Sequence, residues 1–178
     1  MTSNMKKPEL LSRLMDSNQR VVNWFKEIPA DEFFHREDEV WSASDNVDHL
    51  IKSHKPIAKA LKLPKFTLQA MFGLVDQPSR SYEAICQVYK DTIAAGGVAS
   101  GRYLPDQQSP EKAEMVKQEL LDQFFKASES LVSVAEKWDE DDLDGYCLPH
   151  PLIGKLTIRE MLYFTIYHNL RHASRQGD

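Results

Sequence analysis

The stretch LTIREMLYFTIYHNLRH, residues 156–172, decides the architecture of this chain. Thr157 with Glu160 three residues on has the form of a capping box, so a helix starts near Thr157. Beyond it, Met161, Leu162, Tyr163, Phe164, Ile166 and Tyr167 leave almost no polar face. A helix apolar nearly all round is buried on more than one side, so this one is either the centre of a bundle or part of a subunit interface. At about 100° per residue, Thr157, Met161, Phe164, Thr165, His168 and His172 share one arc, which stacks two imidazoles one turn apart on an inward face.

The rest of the chain supplies partners for such a helix. From Glu9 to Phe25, Leu11, Leu14, Met15, Val21, Val22 and Phe25 follow Pro8 at three-and-four spacing and predict a first helix. Ser42, with Asp45 three residues on, opens a second helix that Pro64 closes, and Pro56 inside it predicts a kink or an end near Lys55. Residues 65–108 read as a long crossover with a helical piece around Tyr82, Ile85, Val88, Tyr89 and Ile93, ending at Gly96 and Gly97. A third long helix is expected from Ser109 as cap and Pro110 at the first position. Its seam, Leu121, Phe124, Ser128, Leu131, Ala135 and Trp138, repeats in the manner of helices packed side by side. No internal repeat and no useful β-alternation is visible. The expected fold is all-α: one domain over residues 1–178, a four-helix bundle with a long crossover between its second and third helices.

Composition excludes several classes. With 42% hydrophobic and 28% charged residues, the chain can bury a core and is not of disordered type. Its net charge of −5, with no dense Lys/Arg cluster, disfavours nucleic acid as a partner. No apolar run is long enough for a signal segment or a membrane span, which predicts a cytoplasmic protein without membrane contact. Cys86 and Cys147 lie far apart without CxxC spacing and imply neither a disulfide framework nor a thiolate metal site. The acidic loop DEDDLD, residues 139–144, lacks the spacing and central glycine of a calcium loop.

Chemistry concentrates in the histidines. Residues at i and i+4 on a helix have Cβ atoms about 5–6 Å apart, so His168 and His172 can reach one ion through bonds of about 2.0–2.1 Å. An HxxxH pair alone also arises in ordinary cores. Asn169, Leu170 and Arg171 stand between the two, so the glutamate of a metalloprotease HExxH is missing. The second helix offers His49 and His54 as a third ligand. Its apolar arc, Val47, Leu50, Ile51, Ala58 and Leu61, includes His54 and leaves His49 off centre, so helical periodicity alone prefers His54.

Trp41, His49-Leu50, His150-Pro151 with Gly154, Leu156-Thr157, and the pair His168 and His172 together resemble the DinB-like (YfiT-like) superfamily in its DinB_2-type branch. The resemblance follows helix order over most of the chain, is most specific in the last thirty residues, and is weak in the middle. It implies a four-helix bundle, commonly homodimeric, in which three histidines hold a divalent ion, nickel or zinc, with iron also compatible. By position it nominates His49, His168 and His172. The broad arc that a bundle helix buries lets His49 face the fourth helix, which leaves His54 as buried packing or as a support behind the ligands, with His54 in place of His49 the alternative. Three neutral imidazoles keep a coordination position open, the mark of a catalytic site, where water or a thiol is activated.

The expected function is therefore a metal-dependent enzyme acting on a small molecule between the second and fourth helices. Thiol-dependent S-transfer with a low-molecular-weight thiol is the preferred chemistry, and hydrolysis comes next. The alternative is a bundle that binds a metal or a stress-related ligand without chemistry; no general base is assignable. Asp45, Asp48 and Glu160 are candidates to support the ligands from behind. Trp41 is expected as a core anchor, His150 as a loop-fixing residue and His35 as exposed.

Overall fold

A computed structural model describes residues 4–174. Four long helices carry the fold: α1 (Lys7–Lys26), α3 (Ala43–Leu61), α6 (Ala113–Ala135) and α8 (Ile158–His172). Between them run the short α2 (Ala30–Phe33), the crossover helices α4 (Lys65–Phe72) and α5 (Tyr82–Ala94), a 3₁₀ turn at Gly101–Tyr103, and α7 (Asp142–Gly145). The expected all-α bundle with a long link between its second and third long helices is what forms.

Both capping boxes are present. Ser42 Oγ accepts from Asp45 N while the Asp45 carboxylate accepts from Ser42 N, and Thr157 and Glu160 repeat the arrangement at α8. These bonds satisfy amide donors that the first helical turn leaves open. Each capping carboxylate also holds a guanidinium: Asp45 takes Arg36 Nε at 2.6 Å, and Glu160 takes Arg80 at 2.8 Å. Asp45 and Glu160 are therefore structural groups that fix where α3 and α8 begin.

Two boundaries differ from expectation. α3 runs unbroken through Pro56, which lines a cavity. α6 begins at Ala113 rather than Pro110, because Lys112, with φ −108° and ψ 64°, lies outside the helical region and separates the preceding turn. The seam read from the sequence is buried throughout, and Trp138, just beyond the helix end, donates its indole N–H to Leu61 O at 3.2 Å.

A small hairpin stands just before α8. β1 (Cys147–His150) pairs antiparallel with β2 (Gly154–Thr157), placing Cys147 opposite Thr157 and His150 opposite Gly154. Gly154 has φ +78°, a conformation that disfavours a side chain. Strands of four residues, one containing Pro149, are too short to display an alternating pattern, which is why the hairpin is invisible in the sequence.

The helices close a ring in which α3 packs on α6, α6 on α1 and α1 on α8, whereas α3 and α8 approach closely at only a few points. The crossover covers that loose seam: α5 lies on α8 and the 3₁₀ turn lies on α3. The all-round apolarity of α8 is used within the chain, by α1 on one side and by α5 and the hairpin on others. A buried Arg159 anchors its first turn, donating to Asp144 Oδ1 at 2.7 Å, Glu140 Oε1 at 2.7 Å and Met5 O at 2.6 Å. Among the described residues no helix is long and apolar enough to cross a membrane.

Candidate metal centre

The loose α3/α8 seam holds three imidazoles. His49 comes from the middle of α3, and His168 and His172 come from the last turns of α8. His168 Nε2 lies 3.1 Å from His49 Nε2 and 3.1 Å from His172 Nε2, and one nitrogen of each ring lies within 4.8 Å of the others. Among the described residues this is the one cluster of three or more potential ligands.

Outer hydrogen bonds set the tautomers. His49 Nδ1 is 2.7 Å from Tyr103 O, and a carbonyl only accepts, so the proton sits on Nδ1 and the lone pair on Nε2. His172 Nδ1 is 2.5 Å from Asn46 Oδ1; the Asn46 amide is oriented by its Nδ2 donating to Ser42 O at 2.8 Å, so His172 Nδ1 is likewise the donor. Two Nε2 lone pairs thus converge on His168 Nε2, which can offer a single proton between them. Three nitrogens around a tetrahedral ion with bonds of about 2.0–2.1 Å stand about 3.3–3.4 Å apart, near the 3.1 Å that separates His168 from each neighbour, so small ring movements admit one. The donor set fits a divalent ion, through Nε2 of all three rings.

The electrostatics favour ligands over cations. Burial lowers the His49 pKa, and burial aided by its two neighbours lowers that of His168 well below the ordinary value. Burial and the nearby His49 push His172 down to about 3. All three rings are neutral near pH 7, the form that coordinates a metal.

The surroundings are aromatic. Half-buried Trp41 stacks on His172 with ring centroids 6.3 Å apart and an 18° interplanar angle, and lies 4.9 Å from His49. It is a cover over the histidines, not the core anchor expected. Phe164 stacks on the other side of His168 at 4.9 Å. Next to the cluster opens a cavity of about 160 Å³, with His49 and His168 in its wall beside side chains from α3, α4, α5, the 3₁₀ turn, the hairpin and α8.

The remaining candidates go elsewhere. His54 faces α6, fully buried, with its ring 5.3 Å from Phe124 and its Nδ1 against Leu50 O at 2.8 Å. Periodicity found the centre of the buried arc, but that centre points at α6, and the off-centre His49 is the one that meets α8. Asp48 pairs with Lys52 at 2.8 Å and accepts from Asp106 N, so none of Asp45, Asp48 and Glu160 supports an imidazole. Asn46 and the Tyr103 carbonyl do. Asn46 lies one turn before His49 on α3, a spacing that sequence could have shown; nothing local pointed to Tyr103. His150 fixes its loop, accepting from Leu152 N and Ile153 N at 3.2 Å each, and also lines the cavity. His35 is exposed.

A four-helix bundle with a histidine triad, two of its rings buried and one partly exposed, at a loosened seam defines a class of potential metal-binding proteins. Within it, the model of the DinB superfamily matches residues 13–174, and the chain belongs to that family. No curated protein and no solved structure matches it.

Proposed function

We propose that His49, His168 and His172 hold one divalent ion, nickel or zinc with iron also compatible, and that the chain is one domain working as a metal-dependent enzyme. The observation that carries this reading is the convergence of three neutral imidazoles on one point beside a mostly apolar cavity that shares two of them. The ion would supply Lewis acidity, lowering the pKa of a thiol or of water at the cavity end. Tyr103 O and Asn46 hold the Nδ1 protons, so that two imidazoles keep their lone pairs turned inward. Trp41 shields the cluster on one side and Phe164 on the other, which limits water at the reacting centre.

Transfer of a small organic group to a low-molecular-weight thiol is the preferred reaction, with hydrolysis second. The rival reading, a bundle that binds metal or ligand without chemistry, draws on one observation: among the described residues no carboxylate and no cysteine lines the cavity, so neither an acidic side chain nor a thiol is in place to act on a ligand there. Zinc- or nickel-loaded protein incubated with a thiol and an electrophile separates the two. Metal-dependent thiol consumption that disappears in His168→Ala supports the enzyme, and a loaded but inert protein supports the binding module. Homodimer formation belongs to the same proposal; a monomeric mass at micromolar concentration contradicts it. The apolarity of α8 does not argue for a dimer, since it is buried within the chain.

A further inference from the structure

His150 is a histidine that neither the triad nor the bundle core requires, and its ring has two distinct edges. Nδ1 accepts from two backbone amides, Leu152 N and Ile153 N, both at 3.2 Å. An amide N–H only donates, so Nδ1 must carry its lone pair and the ring's one proton sits on Nε2. A protonated imidazole has no lone pair left and would break both loop bonds. Nε2 has no hydrogen-bond partner among the described residues, although His150 is only 9% exposed. With the Nδ1 edge turned to its own loop, the Nε2 edge is directed away from it, into the cavity that His150 lines.

The rest of the wall explains why this matters. Ile57, Phe72, Leu148, Leu152, Met161 and Phe164 present carbon, and Arg102, the one lysine or arginine in the lining, is exposed with its guanidinium 5.1 Å over the Tyr103 ring. The Phe164 ring lies 4.3 Å from His150 and 4.9 Å from His168, so one phenyl ring touches both the His150 imidazole and the imidazole cluster. Nε2 is not among the sealed, partnerless side-chain atoms of the described residues, so it can be reached from the cavity, where an acceptor oxygen of a ligand can take the place of water on it.

We propose that His150 is a fixed hydrogen-bond donor that recognises a carbonyl-type acceptor oxygen on a small, mostly apolar molecule bound in this cavity. The proposal rests on reading the cavity as the ligand site of the proposed function, and it names the class of molecule that site takes. An ammonium or other pure donor finds no acceptor at His150, and a hydrocarbon leaves it unpaired. Burial, which pushes the His150 pKa down to about 4, keeps the ring neutral throughout the physiological range.

The test uses metal-free protein labelled with ¹⁵N-histidine, and two probes of nearly equal shape, acetophenone and ethylbenzene. Long-range ¹H–¹⁵N spectra report the tautomer of each ring, and the His150 signals are identified by their loss in His150→Asn. That substitution is chosen because an asparagine carbonyl can accept from the amides two and three residues on, preserving the loop while withdrawing the donor from the cavity. The expected result is an Nε2–H tautomer for His150, whose Nε2 proton shifts as acetophenone saturates the site. His150→Asn should weaken acetophenone about three- to tenfold and leave ethylbenzene unchanged. An Nδ1–H tautomer, equal effects of the variant on both probes, or no saturable binding of acetophenone up to its solubility overturns the proposal. Because the probes are read without metal, failure here leaves the metal reading standing, and failure to bind metal leaves this test intact.

Discussion

Replacing His54 by leucine should leave metal binding intact and make the protein more resistant to acid. His54 is completely buried, its Nε2 has no partner, and burial pushes its pKa down to about 4. At neutral pH the unfolded chain hydrates that nitrogen and the folded chain does not, a cost of about 1–3 kcal/mol for an unsatisfied buried polar atom. Leucine removes this cost and loses the Nδ1 contact to Leu50 O, a helix carbonyl that already has a backbone donor. The expected change at pH 7.5 is about 1 kcal/mol of added stability. The pH dependence is the sharper test. The folded pKa lies below the unfolded value of about 6.5, so between the two the unfolded state binds the extra proton and stability falls as pH falls. At pH 5 this linkage costs the parent protein about 2 kcal/mol through His54 alone. His49, His150, His168 and His172 lose stability in the same direction in both proteins, so they cancel in the comparison. Urea denaturation of both proteins at pH 7.5 and 5.0 should therefore show a stability gap that widens by about 2 kcal/mol on acidification. A gap independent of pH would refute the assignment of His54 as a neutral core residue, as would loss of metal from the leucine variant.

Other expected outcomes follow from the same geometry. Asn46→Ala removes the acceptor that orients His172 and should weaken metal binding about 10- to 100-fold, measured by competition with a chelating dye, with little change in urea midpoint. Trp41→Phe should abolish most of the fluorescence quenching caused by cobalt(II), while the metal still binds, because the other two tryptophans, Trp24 and Trp138, are not among the rings in contact with the histidines. Arg159→Met removes the shared partner of Asp144 and Glu140, whose carboxylates are partly exposed and stay hydrated, and should cost about 1–2 kcal/mol in urea denaturation, with metal stoichiometry unchanged.

The long helices were legible because each carries its own signal. The capping boxes at Ser42 and Thr157 and the seam from Leu121 to Trp138 depend on residues a few positions apart, and local spacing is what a sequence displays directly. The hairpin at 147–157 was not, since its strands are too short to alternate and its partners are set by the turn at Pro151–Ile153. At the site, the pair on α8 followed from helical spacing. Periodicity alone chose His54, which faces α6 and lies outside the cluster: it measures burial, and α3 buries one side on α6 and another toward α8. The family resemblance pointed to His49, which is the residue the fold brings beside His168. The carboxylates nearest in sequence do not support the imidazoles because each is committed to a cap or a neighbouring cation. The Tyr103 carbonyl, 54 residues from His49, could emerge only from the path of the crossover.

The central claim is that three particular imidazoles hold one ion, and elemental mass spectrometry on untagged, reconstituted protein tests it most directly. Close to one divalent ion per chain is expected in the parent protein and in His54→Leu, with loss of it in His49→Ala, His168→Ala and His172→Ala. A parent protein without metal after reconstitution, retention of the ion without His49, or its loss with His54 alone would contradict it.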